Sequence, residues 1–337
     1  MICPLDWGLG HATRMVPVIR ENLEAGNRVI IGADHGPLAF LRREFPQLEW
    51  IRMPGETISY SSGRVQAIRL LLQVPRFLRS IRREHRLLEQ ILSEYNINEV
   101  ISDNRYGLWT RNARCILVTH QIMVKMPSGL GFAEKMTYRM IRRFIRRFDE
   151  CRIPDTVGID NYSGDLSHKH PLHANTKFIG ILSRFSLEYP DVDAEKYDIL
   201  VILSGPEPQR TILEEKLTGQ LHKSSQISLI IRGKPEESDN FNTSGNITYA
   251  DHVSSSVMKK LILNAGLVIC RSGYSSVMDL VTLNKPAVLI PTPGQTEQEY
   301  LAEYLGQRKQ FIVFKQDTID LEKAIQLAGV QATEASG

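Results

Sequence analysis

The chain has 337 residues, of which 42% are hydrophobic and 23% are charged, so it has a globular composition and enough length for two domains. Its net charge of +3 gives no reason to expect nucleic acid as a partner. The four cysteines are far apart, which argues against a zinc knuckle or a disulfide framework and fits a reducing cytosol. With no signal-peptide pattern and no apolar stretch of 18 residues, we expect a cytoplasmic protein that is soluble or peripheral at a membrane.

Short apolar runs alternate with helical patterns through the first half of the chain. This alternation predicts βαβ units and a parallel sheet. The expected strands are residues 2–5, 27–33, 48–53, 99–102 and 115–119, and the expected helices are residues 16–25, 36–45 and 65–95. We expect the last of these helices to be broken near Pro75, because proline removes a backbone donor from a helix interior.

Polar residues follow two of these predicted strands. Asp103 comes at the end of the strand at 99–102, and His120 comes just after the strand at 115–119. Ligands of parallel sheets bind at the carboxyl ends of the strands, so we assign both residues to a ligand-binding edge of this sheet.

A basic amphipathic helix is predicted from Gly129 to Asp149. Between residues 136 and 148, apolar side chains recur at helical spacing and arginines flank them. This pattern is typical of a helix lying on an anionic membrane surface, and it also fits a domain helix whose apolar stripe faces the core. We therefore carry contact with a membrane surface as a hypothesis.

The second half of the chain repeats the same architecture. Residues 155–177 read as a loop, and we place the division at residues 1–178 and 179–330. Strands are expected at 199–203, 227–231, 247–250, 267–270, 287–290 and 311–314, with helices at 208–221, 254–264, 274–283, 297–306 and 319–328. We expect the tail from Gln331 to fray. The chain is thus an α/β protein with two doubly wound, Rossmann-like domains.

The first glycine-rich turn is the segment from Gly8 to Thr13. It resembles the dinucleotide-binding fingerprint without its third glycine, and Asp34 lies about where the ribose-binding acid of that fingerprint is expected. Gly10 allows the backbone to approach a nucleotide ligand, and His11 can act as a general base near neutral pH. The alternative for His11 is a helix-capping or packed histidine.

The second half holds two turns that each join a strand to a helix. Ser204 and Gly205 form one, with Arg210 able to neutralise a phosphate. Ser272 and Gly273 form the other, where helix N–H groups would face a diphosphate. Each turn is also compatible with a plain connection between strand and helix.

Two further sets of residues complete the candidate donor site. Asp279 is placed to accept ribose hydroxyls, or else it is an ordinary exposed helix residue. Gln298 and Glu299 follow the loop at 291–294 and suit the hydroxyls of a sugar, although acidic residues are also common at helix starts.

Two patterns could hold a metal ion, and we assign neither. Asp191 and Asp193 form the acid-x-acid pattern of metal-dependent sugar transferases, but they lie in a polar linker with no strand before them. His168, His170 and His173 lie in a segment that reads as a loop and lacks a fourth ligand. We predict no metal and no cofactor.

Taken together, these motifs resemble the GT-B glycosyltransferases of family 28. The resemblance rests on residues 8–11, the Ser204 turn, residues 271–273 with Asp279, and residues 291–300. It implies two domains facing across a cleft, with a UDP-linked sugar such as UDP-N-acetylglucosamine held mainly by the second domain. Asp279, Arg271, Gln298 and Glu299 stand at donor-binding positions of that family, with Asp279 where a glutamate is common and Glu299 where a relative has glutamine.

The resemblance therefore implies inverting, metal-independent transfer of a sugar to an acceptor hydroxyl, with His11 as the base. The acceptor is unknown and is expected to be lipid-linked or close to a membrane, with Asp103 and His120 on the side that binds it. The start from Gly8 to Arg14 is also similar to that of a group of nucleotide-sugar hydrolases, so hydrolysis remains an alternative. A dinucleotide-binding module without enzymatic activity is the third hypothesis.

Overall fold

A computed structural model describes residues 1–55, 65–126, 131–236 and 240–336, with backbone only for 65–74 and 331–336. The chain divides into two compact units, Met1–Leu182 and Ser183–Gly337. Each unit contains one seven-stranded sheet with helices between its strands. Among the described residues, no helix combines the length and apolarity needed to cross a bilayer.

The N-terminal sheet is entirely parallel and has the strand order β3-β2-β1-β4-β5-β6-β7. This order is doubly wound, because the chain runs outward from β1 to one edge and then returns to build the other. Its strands are β1 (Ile2–Cys3), β2 (Ile30–Ala33), β3 (Glu49–Arg52), β4 (Glu99–Asp103), β5 (Arg114–Val118), β6 (Glu150–Ile153) and β7 (Thr176–Phe178). Its helices are α1 (Leu9–Glu24), α2 (His35–Glu44), α3 (Val65–Glu94), α4 (Gly131–Ile145) and α5 (Asp165–His168).

The C-terminal sheet has the order β10-β11-β9-β8-β12-β13-β14 and is parallel except for the pair β10 and β11. Its strands are β8 (Ile199–Ile202), β9 (Ser228–Ile231), β10 (Phe241–Ser244), β11 (Ile247–Ala250), β12 (Leu267–Cys270), β13 (Ala287–Leu289) and β14 (Ile312–Val313). Its helices are α6 (Gln209–Leu221), α7 (Ser255–Asn264), α8 (Tyr274–Thr282), α9 (Thr296–Gln307) and α10 (Leu321–Ser336).

The central strands form because they are continuous apolar runs that helices cover on both faces. In β5 and β12, for example, the apolar residues are all buried. Each sheet accordingly has its own core, one built around β4, β5 and β6 and the other around β8, β9 and β12. Burying these strands leaves their carboxyl ends as the positions where polar side chains converge.

Three sequence predictions about local structure are wrong. Helix α3 runs unbroken through Pro75, so the one backbone donor that proline lacks does not end a helix of 30 residues. Helix α10 does not end at residue 328 but extends to Ser336, consistent with the alanine- and glutamate-containing sequence of this region. Residues 155–177 are not all loop, because they contain α5 and the start of β7.

Strand β10 was not predicted at all. Its sequence, Phe241–Ser244, is mostly polar and every residue in it is exposed. It pairs antiparallel with β11 at the edge of the sheet. A strand there can stay exposed, so its sequence needs no apolar pattern.

Candidate functional site

The candidate site in the N-terminal unit begins with the first turn of α1. Gly8 caps this helix with φ 68°, a left-handed conformation that favours glycine, and His11 and Arg14 follow three residues apart on one helix face. Asp103 is the last residue of β4, which pairs with β1, and His120 lies just beyond β5, which pairs with β4. Neighbouring parallel strands therefore bring Asp103 and His120 to the start of α1.

The four side chains form one hydrogen-bonded cluster. His11 Nδ1 lies 3.0 Å from Asp103 Oδ2, and Arg14 Nε donates to the same oxygen at 2.9 Å. Arg14 Nη2 donates to Asp103 Oδ1 and lies 2.9 Å from His11 Nδ1, and Arg14 Nη1 lies 2.8 Å from His120 Nδ1. Asp103 and Arg14 are buried, whereas the His11 side chain keeps 14% of its surface exposed. His11 is thus the member of the cluster best placed to meet a ligand.

Asp103 is ionised within this cluster. Burial by itself would raise its pKa, but the charge of Arg14, with His11, outweighs burial and holds the pKa below the ordinary value of 3.8. His11 Nδ1 faces both Asp103 Oδ2, which only accepts, and Arg14 Nη2, which only donates, so each tautomer of His11 finds a partner at Nδ1. The tautomer with its proton on Nδ1 donates to Asp103 and leaves Nε2 with a lone pair, which is the arrangement of a general base oriented by an acid.

The predicted residues His11, Asp103 and His120 therefore lie together, and Arg14 joins them without having been predicted as a site residue. Its signal in the sequence is its position one helical turn after His11. Its cationic side chain is suited to Asp103 because a guanidinium can bind both oxygens of a carboxylate.

Asp34 has its hydrogen-bond partners outside the His11 cluster. Its Oδ1 accepts from the backbone N–H of His35 at 3.0 Å, which caps α2, and from Arg52 Nε at 2.8 Å. Ligand atoms of Asp6, Asp34 and His35 lie within 4.8 Å of one another, the one such group found among the described residues. Because Arg52 already neutralises Asp34, we assign no metal to this group.

The other metal-like patterns do not form ligand sets in the described part of the chain. His168 Nε2 lies 3.2 Å from Asp155, His170 stacks on Tyr138, and His173 bonds to Asn175. Asp191 is exposed and pairs with Lys260 at 2.7 Å.

The candidate site in the C-terminal unit lies where β12 passes into α8. Gly273 caps α8, and Ser272 Oγ donates to the backbone carbonyl of Gln298 at 2.8 Å. The first turn of α9 is therefore joined to the first turn of α8. A ligand phosphate at this point would face the positive end of the α8 dipole.

Gln298 and Glu299 each use one end of the side chain to hold the loop before α9. Gln298 Oε1 accepts from the backbone N–H of Thr292 at 2.9 Å, and Glu299 Oε1 accepts from that of Gly294 at 2.9 Å. The amide Nε2 of Gln298 lies 4.0 Å from where a Cβ on Gly273 would be, so it is close to the start of α8. The second polar atom of each side chain is Nε2 of Gln298, which is a donor, and Oε2 of Glu299, which is an acceptor.

The turn at Ser204 and Gly205 lies against the same loop. Gly205 has φ 99°, and a Cβ placed on it would be 3.4 Å from Thr292 Oγ1. Two of the predicted donor segments, residues 204–205 and residues 291–299, are thus adjacent within one unit.

Three predicted donor residues have protein partners that change their expected roles. Arg210 pairs with Glu207 and Glu214, so its charge is already neutralised. Arg271 is buried and donates to the backbone carbonyls of Gln209, Ile290 and Pro291 and to the side chain of Gln316. Burial lowers the pKa of Arg271 to about 10. We reassign both arginines to holding the loops.

Asp279 is the third of these residues, and it is buried rather than exposed. Its Oδ1 accepts from Ser183 Oγ at 2.5 Å, and its Oδ2 lies 3.4 Å from Arg184 Nε. Burial raises the pKa of Asp279, an effect that Arg184 and Ser183 partly offset. The carboxylate therefore anchors the segment that enters the C-terminal unit, and any ribose contact would be additional to that role.

Helix α4 places its apolar stripe in the core. Tyr138, Ile141, Phe144 and Ile145 are buried, so the stripe itself cannot face a membrane, contrary to that hypothesis. The exposed side of α4 instead carries Phe132 and Met136, which are 72% and 52% exposed, followed by Arg139, Arg142 and Arg143.

Comparisons with known proteins match the second half of the chain most directly. Residues 206–330 match the family model of the glycosyltransferase family 28 C-terminal domain. A UDP-N-acetylglucosamine--N-acetylmuramyl-(pentapeptide) pyrophosphoryl-undecaprenol N-acetylglucosamine transferase of Prochlorococcus marinus is 32% identical over 40% of this chain and 38% of its own length. An uncharacterized glycosyltransferase of Methanopyrus kandleri is 25% identical over 80% of this chain and 78% of its own length. The matched region thus spans less than half of the first relative.

Solved structures resemble the whole chain. The spinosyn rhamnosyltransferase SpnG has a TM-score of 0.63 at 13% identity, covering 98% of this chain and 91% of its own. Acinetobacter baumannii MurG has a TM-score of 0.52 at 14% identity, covering 98% of this chain and 89% of its own. These likenesses establish the GT-B fold that the sequence predicted.

Replacing Asp103 by asparagine should destabilise the N-terminal unit by about 3–5 kcal/mol at pH 7, because Arg14 would stay buried without its counter-charge. The pKa of Asp103 is lowered in the folded state, so the stabilisation from its charge is present above about pH 4 and is lost as the pH falls through the folded pKa. The difference between wild type and Asp103→Asn should therefore shrink below pH 4.

Tryptophan fluorescence during denaturant unfolding measures this effect selectively, since all three tryptophans lie in Met1–Leu182. Asp193→Asn, at an exposed position, is the matched control and should change little. A difference that stays constant from pH 7 to pH 3 would contradict the assignment of charge to Asp103.

Proposed function

We propose that this chain, whose residues 206–330 match the glycosyltransferase family 28 C-terminal domain, transfers a sugar from a nucleoside-diphosphate sugar to an acceptor hydroxyl. The observation that carries the proposal is the pair of His11 and Asp103 at the start of α1, 3.0 Å apart. The GT-B fold and the family 28 domain support it from the other half of the chain. Donor binding is assigned to the C-terminal unit and acceptor activation to the N-terminal unit.

The proposed reaction is a single displacement at the anomeric carbon. His11 Nε2 takes the proton of the acceptor hydroxyl, and that oxygen forms a bond to the anomeric carbon as the bond to the diphosphate breaks. The diphosphate leaves with the bonding electrons, and the configuration of the sugar inverts. Asp103 holds Nδ1–H of His11 and stabilises the imidazolium that forms.

The leaving diphosphate is assigned to the N-terminus of α8 and the turn at Ser204 and Gly205. Backbone N–H groups of a helix start stabilise negative charge as it develops. We propose that these groups do so without a metal ion, so activity should survive a chelator. Asp279 retains lone pairs with which to accept ribose hydroxyls beside its bonds to Ser183 and Arg184.

The donor sugar is assigned to Gln298 and Glu299. Since one oxygen of each side chain holds the preceding loop, Gln298 offers a donor and Glu299 an acceptor to the hydroxyls of the sugar. We propose a UDP-linked sugar such as UDP-N-acetylglucosamine, because the Prochlorococcus relative carries that donor in its name. The same name supports a lipid-linked acceptor.

Hydrolysis of the nucleotide sugar is the second candidate, and Arg14 is the observation that favours it. The segment Gly8 to Arg14 matches the start of the related hydrolases, and Arg14 is part of the His11 cluster. Water would then replace the acceptor hydroxyl. Release of UDP without any acceptor, at the rate measured with one, would select hydrolysis over transfer.

Replacing His11 by alanine should lower kcat by about 10²–10⁴, the usual contribution of a general base. The donor KM should stay within about twofold, because the donor is bound by the other unit. UDP release from UDP-N-acetylglucosamine in the presence of lipid-linked acceptors is the assay. His222→Ala, at an exposed position, is the control, and a fully active His11→Ala protein would refute the assignment.

Replacing Gln298 by alanine should raise the donor KM about fivefold, which corresponds to the loss of one hydrogen bond worth about 1 kcal/mol. Its effect on kcat should be smaller than that of His11→Ala. Gln307→Ala lies on the same helix at an exposed position and serves as the matched control. Equal KM values for the two variants would remove Gln298 from the donor site.

Contact with a membrane surface is proposed through the exposed side of α4. Phe132, Met136, Arg139 and Arg143 lie on one face of the helix, with apolar residues at one end and cations at the other. Apolar side chains can enter the headgroup region while cations bind anionic lipids.

The loop before α5 carries two more exposed apolar side chains. Val157 and Ile159 are 76% and 83% exposed, although Asp155 pins the loop by accepting from the backbone of Tyr162 and Ser163. Both lie in Met1–Leu182, the unit that also contains α4.

Replacing both Arg139 and Arg143 by glutamine should weaken binding to phosphatidylglycerol-containing vesicles about 30-fold, since each cation near the surface contributes about 1 kcal/mol. Vesicle flotation with and without the anionic lipid measures the effect. Lys196→Gln with Lys223→Gln removes two exposed cations from the C-terminal unit and is the control. Equal binding to neutral and anionic vesicles would contradict this surface.

A further inference from the structure

Thr292 carries a buried hydroxyl that has no hydrogen-bond partner among the described residues. The residue is 1% exposed and lies three residues after β13, at the carboxyl edge of the C-terminal sheet. A hydroxyl that leaves water without gaining a partner costs stability, and a valine of the same shape would avoid that cost. The hydroxyl of Thr292 is therefore a candidate contact for a ligand.

The rest of Thr292 is held in place by hydrogen bonds. Its backbone N–H donates to Gln298 Oε1 at 2.9 Å, and its carbonyl accepts from the N–H of Gln295 at 3.0 Å. Arg271 Nη1 donates to the two preceding carbonyls at 3.4 and 3.3 Å. Because threonine branches at Cβ, its χ1 angle is also restricted. The protein thus fixes the position of Oγ1 while pairing the backbone groups around it.

The hydroxyl faces the turn at Ser204 and Gly205. A Cβ placed on Gly205, which has φ 99°, would lie 3.4 Å from Thr292 Oγ1. Outside the turn itself, no other atom of the described residues lies within 4 Å of that Cβ position. Since glycine has no Cβ, the space beside the hydroxyl stays open.

The same edge of the sheet favours an anion. β8 and β12 are neighbouring parallel strands, so the helices that follow them, α6 and α8, begin at one edge. Helix starts carry unpaired N–H groups and partial positive charge. The loop that brings Thr292 Oγ1 to Gly205 also brings Gln298 Nε2 to within 4.0 Å of the Cβ position of Gly273. Each glycine turn thus faces one polar side chain of this loop.

We propose that Thr292 is a donor-binding residue whose hydroxyl donates a hydrogen bond to the diphosphate of the nucleotide sugar, beside Gly205. The inference rests on the proposed function for the identity of the ligand. A phosphate oxygen would supply the acceptor that the protein does not provide. The hydroxyl is neutral, so it adds this contact without placing a charge in the buried site.

Thr292→Val tests the contact in the full chain, with UDP as the probe and isothermal titration calorimetry as the measurement. Valine keeps the shape of threonine and removes only the hydroxyl. The affinity for UDP should fall about tenfold or more, because a hydrogen bond to a charged group is lost. Thr292→Ser keeps a hydroxyl and should bind UDP within about threefold of the wild type.

The same substitution should have the opposite effect on the protein without ligand. Removing an unpaired buried hydroxyl removes its desolvation cost, so the melting temperature of Thr292→Val should rise by about 2–4 °C. Differential scanning calorimetry without UDP measures this rise. A hydroxyl with a structural partner would give a fall instead, since the partner would lose its hydrogen bond. Weaker binding together with higher stability therefore identifies a ligand contact.

Thr282 provides the matched control. Its Oγ1 is also buried and has no partner in the described part of the chain. It is the last residue of α8, about 12 Å along the helix from the start. Thr282→Val should raise the melting temperature as Thr292→Val does, and it should leave the affinity for UDP unchanged.

A Thr292→Val protein that binds UDP as tightly as the wild type would overturn the inference and leave the proposed function standing. A lower melting temperature of Thr292→Val would overturn it as well, because the hydroxyl would then have a structural role. If the wild type binds neither UDP nor another nucleoside diphosphate, the proposed function fails and the inference falls with it.

Discussion

The buried ion pair between Arg14 and Asp103 is the interaction on which the N-terminal site depends. Removing either charge would leave the other uncompensated, at a cost of about 3–5 kcal/mol. The pair joins the first helix to the end of β4, and both histidines take their orientation from it. Sheet topology supplies the proximity, because β1, β4 and β5 are neighbours, and the ion pair converts that proximity into a defined chemical arrangement.

Much of the fold could be predicted from the sequence because its strands are buried on both faces. Continuous apolar runs such as Leu267–Cys270 predict buried strands, and the helical patterns between these runs predict a parallel sheet. Features that do not depend on that pattern were missed or misjudged. Strand β10 is polar and lies at the edge of its sheet, and α3 continues through Pro75 although proline has no backbone N–H to donate.

For the candidate site, the sequence singled out His11, Asp103 and His120, and the structure brings these three side chains together around Arg14. What the sequence could not show is how each side chain is already occupied. Arg210 and Arg271 were predicted to bind phosphate, and the structure adds that each already pairs with protein groups; the apolar sequence pattern of α4 is compatible with a membrane or a core surface. Arg14 was not assigned to the site because two of its three partners, Asp103 and His120, lie far from it along the chain.

Gln298 and Glu299 hold the loop at residues 292–294 with the same side chains that are assigned to the sugar. Ligand choice and loop shape are therefore coupled at these two positions. A change of donor preference by substitution here would alter the loop as well, so evolution or an engineer would have to change residues 292–299 as one module. Related enzymes with different donors should accordingly differ in this whole segment together.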